Sequence, residues 1–371
     1  MYLSSVLLIV TSALLALGVQ AENGEAFAKR DYFMVGGNYV NTSAGHLFVN
    51  QMYVEHLTPE TKQQLYPVIF IHGQGQDGSN FLNKPDGSRG WASWFLNEGY
   101  EVYIIDQTMR GRSAWWPSSG VAIGTYAAEI IQQRFTAIKD YMLWPQASLH
   151  TQWPGTGRMG DAVFDAFYSS NVQFASDTLV VEKTMQAAGA ALLDKIGSAI
   201  LLSHSQGGLM PWLWADARPN LVKAIVSIEP TGPPFQDAVF STTVTRPYGL
   251  TNIPLTFSPS VDTTLARPIA TNVLAASNET AGFSCTVQAD PPRKLVNIAK
   301  VPVLVETSEA SYHAVYDKCT ALFLEQAGVN VTFLNLRDVG IHGNGHMQFM
   351  EKNSDDIAAV LHAWIKKSLV Q

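Results

Sequence analysis

The sequence predicts an α/β fold in which a mainly parallel β-sheet is covered by helices on both faces. Strand-like apolar runs alternate with helix-like segments along most of the chain, and this order is typical of parallel sheets. The inner strands are expected at 67–71, 101–106, 199–202, 221–228, 301–305 and 331–336, and their nearly continuous apolar character indicates burial on both faces. An antiparallel hairpin of two strands, at 32–40 and 46–57 with a turn at 41–45, is predicted to lead into the sheet.

Helical periodicity separates the predicted strands. Apolar residues recur every three or four positions at 126–141, and further helices are predicted at 91–97, 178–196, 209–217, 314–327 and 355–368. Two stretches have no clear period: 143–176, with many Trp, Pro and Gly residues, and 231–299, rich in Pro, Thr and Ser. We predict that both are cap-like insertions, the first lying over a functional site, within one α/β domain that spans 22–371.

The first 21 residues have the features of a secretory signal peptide. They contain no charged side chain, carry a short apolar core at 6–17, and end in Val19-Gln20-Ala21, which fits a cleavage site. The apolar core is short for a membrane span, which needs roughly 20 apolar residues. We therefore expect the mature chain to be extracellular, or in the lumen of the secretory pathway, with no membrane span after cleavage.

Composition and cysteine content indicate which partners and which compartment the protein has. Hydrophobic residues make up 47% of the 371-residue chain, and the net charge is −7 with no basic cluster, which argues against nucleic acid or an anionic membrane as partner. The two cysteines, Cys285 and Cys319, are predicted to form one disulfide in an oxidising compartment. Asn41, Asn278 and Asn330 begin N-x-[ST] sequons in predicted loops and are candidate glycosylation sites.

The segment Ser203-His204-Ser205-Gln206-Gly207-Gly208 carries the main functional signal. A strand that ends in a sharp turn with one serine among small residues, followed by a helix, is the pattern of a nucleophile elbow. The usual pattern has glycine two positions before the nucleophile, where this chain has Ser203. A Ser/Gly-rich loop after an ordinary strand is the competing interpretation, so the assignment of Ser205 depends on finding partners for it.

A serine hydroxyl becomes a nucleophile when a base takes its proton and a third group orients that base. The loop after the last predicted strand contains His342 and His346, and we favour His346 because an apolar turn follows it. His72 and His204 are expected to anchor turns. A pair of metal ligands formed by His342 and His346 is the alternative, but no His-Glu-x-x-His helix supports it. Neither a metal nor a cofactor is therefore predicted.

Three carboxylates are candidates for the orienting group, and two backbone amides for the oxyanion hole. Glu229 ends one core strand, while Glu306 and Glu309 follow the next; the residues alone favour Glu229 only modestly over Glu306. A tetrahedral oxyanion needs two N–H donors. One is expected from Gln206, directly after the candidate nucleophile, and the other from Gln74 in the Gly-rich loop after the third strand.

Several segments together resemble the secreted bacterial and fungal esterase branch of the α/β-hydrolase superfamily, namely 72–76, 85–87 with 90–92, 103–106 with 110–113, 203–208, 228–233 and 343–347. The resemblance runs from about residue 32 to the C terminus. It implies the α/β-hydrolase fold, with Ser205 as nucleophile, His346 as base and Glu229, after the sixth strand, as acid in place of Glu306.

These observations predict a serine esterase that cleaves carboxylic esters or lactones of small, apolar molecules through an acyl-enzyme. Acyl transfer, or elimination or cyclisation of a small metabolite, is the alternative on the same scaffold. A binding protein is less favoured because all three groups of the triad are present. Four tryptophans in loops or in the first insertion are predicted to line an apolar pocket, although such residues pack as often as they bind: Trp115, Trp116, Trp144 and Trp153.

Overall fold

An eight-stranded β-sheet forms the centre of the computed structural model, which describes residues 24–43 and 45–370. Its strands are β1 (Ala28–Thr42), β2 (Gly45–Pro59), β3 (Val68–Ile71), β4 (Val102–Asp106), β5 (Ala199–His204), β6 (Val222–Ile228), β7 (Val303–Thr307) and β8 (Val331–Asn335). They lie in the order β1-β2-β4-β3-β5-β6-β7-β8. Strands β3 to β8 are parallel, and β2 is antiparallel to both β1 and β4. The predicted fold class is confirmed. The predicted signal peptide lies outside the described residues.

Helices cover both faces of this sheet. They are α1 (Trp91–Asn97), α2 (Ala128–Ile131), α3 (Ile138–Tyr141), α4 (Ala162–Ser169), α5 (Thr178–Ile196), α6 (Met210–Ala217), α7 (Asp317–Gln326) and α8 (Ser354–Leu369). Side chains alternate along β3: Ile69 and Ile71 belong to the core cluster of α5, α6 and α7, while Val68 and Phe70 belong to that of α1 and α8. The continuous apolar run of β3 therefore follows from burial on both faces.

The helix predicted over 126–141 is interrupted. A π-helical turn, Gln132–Thr136, separates α2 from α3, and the Ala137 N–H donates to the Gln132 carbonyl five residues earlier at 2.9 Å. The Thr136 hydroxyl donates to the Gly157 carbonyl, which lies outside this helix, at 2.7 Å. A π turn of this kind changes the direction of the side chains that follow it, and such turns occur often at functional sites.

The two predicted insertions contribute no strand to the central sheet. The stretch 143–176 contains α4, whose N-terminus is capped by Asp161, and a two-residue strand, Phe174–Ala175, paired with Ile123–Gly124. The stretch 231–299 contains two small antiparallel pairs, Thr271–Leu274 with Cys285–Gln288 and Phe257–Ser258 with Lys294–Leu295. It is attached to α5 through the buried Glu182, which accepts from the Asn252 and Ile253 N–H groups at 2.9 Å each.

The predicted disulfide between Cys285 and Cys319 is present and connects the second insertion to α7. Its partners are 34 positions apart, which corresponds to roughly 3–4 kcal/mol of stabilisation in the chain-entropy account. The three sequon asparagines are exposed, although Asn41 lies within β1 and not in the expected turn. In the described part of the chain no helix is both long and apolar enough to cross a bilayer.

Candidate active site

Ser205 occupies a sharp turn at the carboxyl end of β5. Its backbone φ is 56°, in the left-handed region that non-glycine residues rarely adopt. A Cβ at Gly207 would lie 2.4 Å from the His72 carbonyl oxygen, and one at Gly208 would lie 2.6 Å from Pro230 Cβ. Small residues are therefore required on this side of the turn, because the neighbouring loops approach it closely. The local geometry is that of a nucleophile elbow.

Glu229 and His346 form a buried pair next to this turn. His346 Nδ1 donates to Glu229 Oε2 at 2.5 Å, and the same carboxylate accepts from the Ser308 N–H at 2.8 Å and from the Ser311 hydroxyl at 2.7 Å. Since Nδ1 carries the proton, Nε2 of the neutral ring is an acceptor. Its partner is the Tyr312 hydroxyl at 3.5 Å.

Burial controls the ionisation of this pair. It raises the pKa of Glu229 to about 7 and lowers the pKa of His346 well below its usual value of 6.5. Both shifts have one cause, since a low-dielectric surrounding disfavours the carboxylate and the imidazolium alike. At neutral pH the imidazole is therefore an unprotonated base, and Glu229 ionises close to neutrality.

The candidate nucleophile and base meet at one cavity. Ser205 and His346 both line a space of about 80 Å³ at the carboxyl edge of the sheet, whose aromatic walls include Phe135 and Tyr312. Within residues 24–43 and 45–370 the Ser205 hydroxyl makes no hydrogen bond. Catalytic hydrogen bonds are often long before substrate binds, so the lack of a bond here does not exclude proton transfer between the two groups.

The His346 ring is held by aromatic and histidine neighbours. Phe135, from the π turn, stacks on it with ring centroids 5.2 Å apart, and His313 lies parallel to it at 4.8 Å with planes 3° apart. His204 Nε2 donates to the His346 carbonyl oxygen at 2.9 Å. His204 thus fixes the main chain of the base while the two rings fix its orientation.

His313 was not predicted as part of the site. It is a buried residue whose Nδ1 pairs with Asp317 Oδ1 at 2.9 Å and whose Nε2 contacts the Tyr316 hydroxyl at 3.2 Å. The His-x-x-x-Asp spacing on a helical segment was the available sequence signal, and it is a common one. In the structure, His313 packs against the face of the His346 ring.

Glu229, His313 and His346 have potential metal-ligand atoms within 4.8 Å of one another. Imidazole binds a metal through a lone pair in the ring plane, at about 2.0–2.1 Å for zinc. The two rings are stacked with parallel planes, and each already directs Nδ1 to a carboxylate. These residues therefore do not fit a metal site as arranged.

Gln74 and Gln206, whose backbone amides are the predicted oxyanion donors, lie at one cavity with Ser205. All three residues line a second cavity of about 310 Å³. Gln206 lies at the start of a short 3₁₀ helix, Ser205–Leu209, where N–H groups lack intrahelical acceptors. The Gln74 N–H also has no acceptor in the described part of the chain. Both donors are therefore free to bind an oxyanion.

The peptide group between Gly73 and Gln74, which carries the Gln74 N–H, is fixed by hydrogen bonds to its carbonyl oxygen. The Gly73 carbonyl accepts from Arg110 Nη1 at 2.8 Å and from His72 Nδ1 at 2.9 Å. Burial lowers the pKa of His72 to about 3, so this ring is neutral, and its Nε2 accepts from the Gln107 N–H at 3.0 Å. Because a trans peptide places C=O and N–H on opposite sides, fixing the carbonyl points the amide away from Arg110.

The competing candidates lie elsewhere. His342 pairs with Glu309 at 3.2 Å, and its side chain is 62% exposed. Glu306 is buried and accepts from Gln348 Nε2 at 2.9 Å. Burial, followed by the charge of Glu229, raises the pKa of Glu306 well above its usual value. It is Glu229, and neither Glu306 nor Glu309, that contacts His346.

The four tryptophans do not line either cavity, in contrast to the expectation from the sequence. Trp144 and Trp153 are buried in packing contacts, Trp115 packs against the core, and Trp116 donates to the Phe48 carbonyl on the hairpin at 3.1 Å. Trp153 belongs to the core cluster of α1 and α8, and Trp144 packs with Ile138 and donates to the Ala310 carbonyl at 2.9 Å. The aromatic wall of the smaller cavity comes from other residues, namely Tyr126, Phe135, Phe167, Phe240 and Tyr312.

Comparisons with known proteins identify relatives of the chain. No protein-family model matches the chain. The probable secreted lipase phiG of Fungal sp. (strain ATCC 74256) is 44% identical over 376 residues, which cover 99% of this chain and 99% of that lipase. A novel bacterial esterase of known structure has a TM-score of 0.61 and 22% identity, over 92% of this chain and 96% of its own. Carboxyl esterase 2 from the mycorrhizal fungus Tuber melanosporum has a TM-score of 0.45 and 13% identity, over 97% of this chain and 90% of its own. With 44% identity over nearly its full length, the chain belongs to the family of that probable secreted lipase, and its fold is that of the α/β-hydrolases.

Proposed function

We propose that the protein is a secreted serine hydrolase that cleaves carboxylic esters through an acyl-enzyme, with Ser205 as nucleophile, His346 as base and Glu229 as acid. The observation that carries the proposal is the buried hydrogen bond from His346 Nδ1 to Glu229, which leaves Nε2 as an acceptor at the cavity shared with Ser205. Kinship with a secreted lipase supports the same reaction class.

In the proposed reaction, Nε2 of His346 takes the Ser205 proton as Oγ bonds to the ester carbonyl carbon. The carbonyl oxygen becomes an oxyanion that accepts from the Gln74 and Gln206 N–H groups; loss of one such donor typically costs about 10²- to 10³-fold in kcat. The imidazolium, stabilised by Glu229, then protonates the leaving alcohol as its C–O bond breaks. Water repeats the sequence on the acyl-enzyme and releases the acid.

Export is part of the proposal. The charge-free leader at 1–21, the disulfide and the secreted relative support an extracellular mature domain that begins near residue 22. The second candidate function is transfer of the acyl group to an alcohol instead of water. The polar 310 Å³ cavity next to Ser205 has room for such an alcohol.

The direct test is covalent labelling of the mature enzyme. A fluorophosphonate should form one adduct, mapped by peptide mass spectrometry to Ser205, and should abolish release of 4-nitrophenolate from a short 4-nitrophenyl ester. Labelling at another residue, or ester hydrolysis that persists after complete labelling, would contradict the assignment. Addition of a competing alcohol distinguishes hydrolysis from transfer, because a transferase forms the new ester at the expense of the acid.

We expect kcat/KM to rise with pH through an apparent pKa near 7, the value to which burial raises Glu229. Below that pH the carboxyl group is protonated and loses the charge that stabilises the imidazolium, whereas His346, whose pKa is lowered, stays neutral. The profile should fall roughly tenfold per pH unit on the acid side. It is measured with a neutral ester between about pH 5 and about pH 9. A flat profile would contradict the prediction, and the observed pKa belongs to the coupled pair.

A further inference from the structure

Arg134 lies in the π turn and faces the candidate active site. Its guanidinium carbon is 4.1 Å from the centroid of the Phe240 ring, and both residues line the 80 Å³ cavity together with Ser205 and His346. Within residues 24–43 and 45–370, the Arg134 side chain makes no hydrogen bond and no ion pair. The guanidinium is partly buried, and its five N–H donors have no protein partner among the described residues, so it can bind a planar acceptor such as a carboxylate.

The other arginines near Ser205 have partners. Arg110 is buried and donates to the Gly73 carbonyl, while Arg246 in the larger cavity pairs with Asp237 at 2.9 Å. No described residue that lines the smaller cavity is acidic. Arg134 is therefore an uncompensated positive charge at this cavity, in a chain whose net charge is −7.

The charge of Arg134 acts across the cavity. Burial raises the pKa of Tyr126 and of Tyr312, and Arg134 opposes the increase at both phenols. The cation–π contact with Phe240 and the π turn fix the guanidinium on the wall, so a bound anion would meet an already positioned partner. The next residue, Phe135, stacks on His346 with ring centroids 5.2 Å apart, and Arg134 and Phe135 both line the cavity that Ser205 lines.

We propose that Arg134 binds a carboxylate of the substrate, so that the preferred substrates are half-esters of short dicarboxylic acids with the free carboxylate on the acyl part. The fork of the guanidinium matches a carboxylate bidentately. The narrow aromatic cavity accepts a compact acyl chain between this cation and Ser205. The inference rests on the proposed function for the ester cleavage itself. It adds that the preferred substrate carries a negative charge.

The test compares mono-4-nitrophenyl glutarate with 4-nitrophenyl pentanoate, which has the same acyl chain length and no carboxylate. The mature wild-type enzyme should have the higher kcat/KM for the glutarate. Arg134→Gln should lower the glutarate-to-pentanoate ratio of kcat/KM by about 10- to 100-fold, the usual range for losing a charged hydrogen-bond partner, chiefly through KM. Raising the salt concentration should reduce the wild-type ratio and leave the variant's ratio nearly constant.

Two further variants serve as controls. Arg158→Gln removes an arginine of the first insertion that is 51% exposed and already paired with Asp140, and it should retain the wild-type ratio. Arg134→Lys should restore part of the ratio lost in Arg134→Gln, which excludes a folding defect as the cause. An equal loss for both esters in Arg134→Gln, or a wild-type preference for the pentanoate or for a phosphonate-bearing ester, would overturn the inference. If the wild-type enzyme cleaves neither ester and no fluorophosphonate labels it, the proposed function fails instead.

Discussion

Replacing Ser205 with alanine is expected to abolish ester hydrolysis, with a loss of roughly 10⁴- to 10⁶-fold in kcat. The hydroxyl is the atom that bonds to the substrate, and no other serine or threonine occupies the tip of the turn. The melting temperature should change little, because the Ser205 hydroxyl makes no hydrogen bond within residues 24–43 and 45–370 that the substitution would remove. Steady-state assays with a 4-nitrophenyl ester and thermal unfolding of the same preparation measure the two effects.

Two neighbouring substitutions make this result specific. Ser205→Gly should be equally inactive but more stable than Ser205→Ala, because glycine adopts a φ of 56° without steric cost. Ser203→Ala should remain active, since the buried Ser203 hydroxyl has no hydrogen-bond partner among the described residues. Activity of Ser205→Ala above about one percent of wild type would remove Ser205 from the mechanism.

Glu229→Gln is expected to lower kcat by about 10⁴-fold, as amide replacement of a triad carboxylate does elsewhere. The amide has nearly the same shape, but its NH₂ group donates to Nδ1 of His346. The imidazole proton then moves to Nε2, which loses the lone pair needed to accept the Ser205 proton. The variant should still fold, and its residual activity should lack the pH step near 7 that belongs to the carboxyl group.

Glu306→Gln is the matched control, since both glutamates are buried and lie at the carboxyl ends of adjacent parallel strands, Glu306 within β7 and Glu229 directly after β6. It should keep activity within several-fold of wild type. Because the pKa of Glu306 is raised in the folded state, its favourable contribution is present below the unfolded pKa and is lost as pH rises through the folded one. Glu306→Gln should therefore gain stability relative to wild type as pH increases. A larger activity loss in Glu306→Gln than in Glu229→Gln would reassign the acid.

Local patterns along the chain were enough to predict the sheet and most helices. The helix expected over 126–141 is an exception with a physical cause: Met159 donates its N–H to Gln132 Oε1, and Gly157 accepts from Thr136. These contacts come from the first insertion and favour the π turn over a regular helix. Hydrophobic periodicity within one segment contains no information about such contacts.

The candidate site was predictable where chain order constrains it. A serine turn, a carboxylate after a core strand and a histidine after the last strand can be found in sequence. The residues alone favoured Glu229 only modestly over Glu306, and the family resemblance implied Glu229. In the structure Glu229 contacts His346, whereas Glu306 contacts Gln348. Arg134 and His313 were missed because their importance comes from stacking and from unused donors, which are properties of the three-dimensional arrangement.

The bond between His204 and the His346 main chain joins two segments that are 142 positions apart in sequence. Since His204 immediately precedes Ser205, the two reacting groups share one rigid frame beneath the caps. Relatives built on this frame would be free to change their substrates by substitution in the caps while the proton-transfer apparatus stays intact.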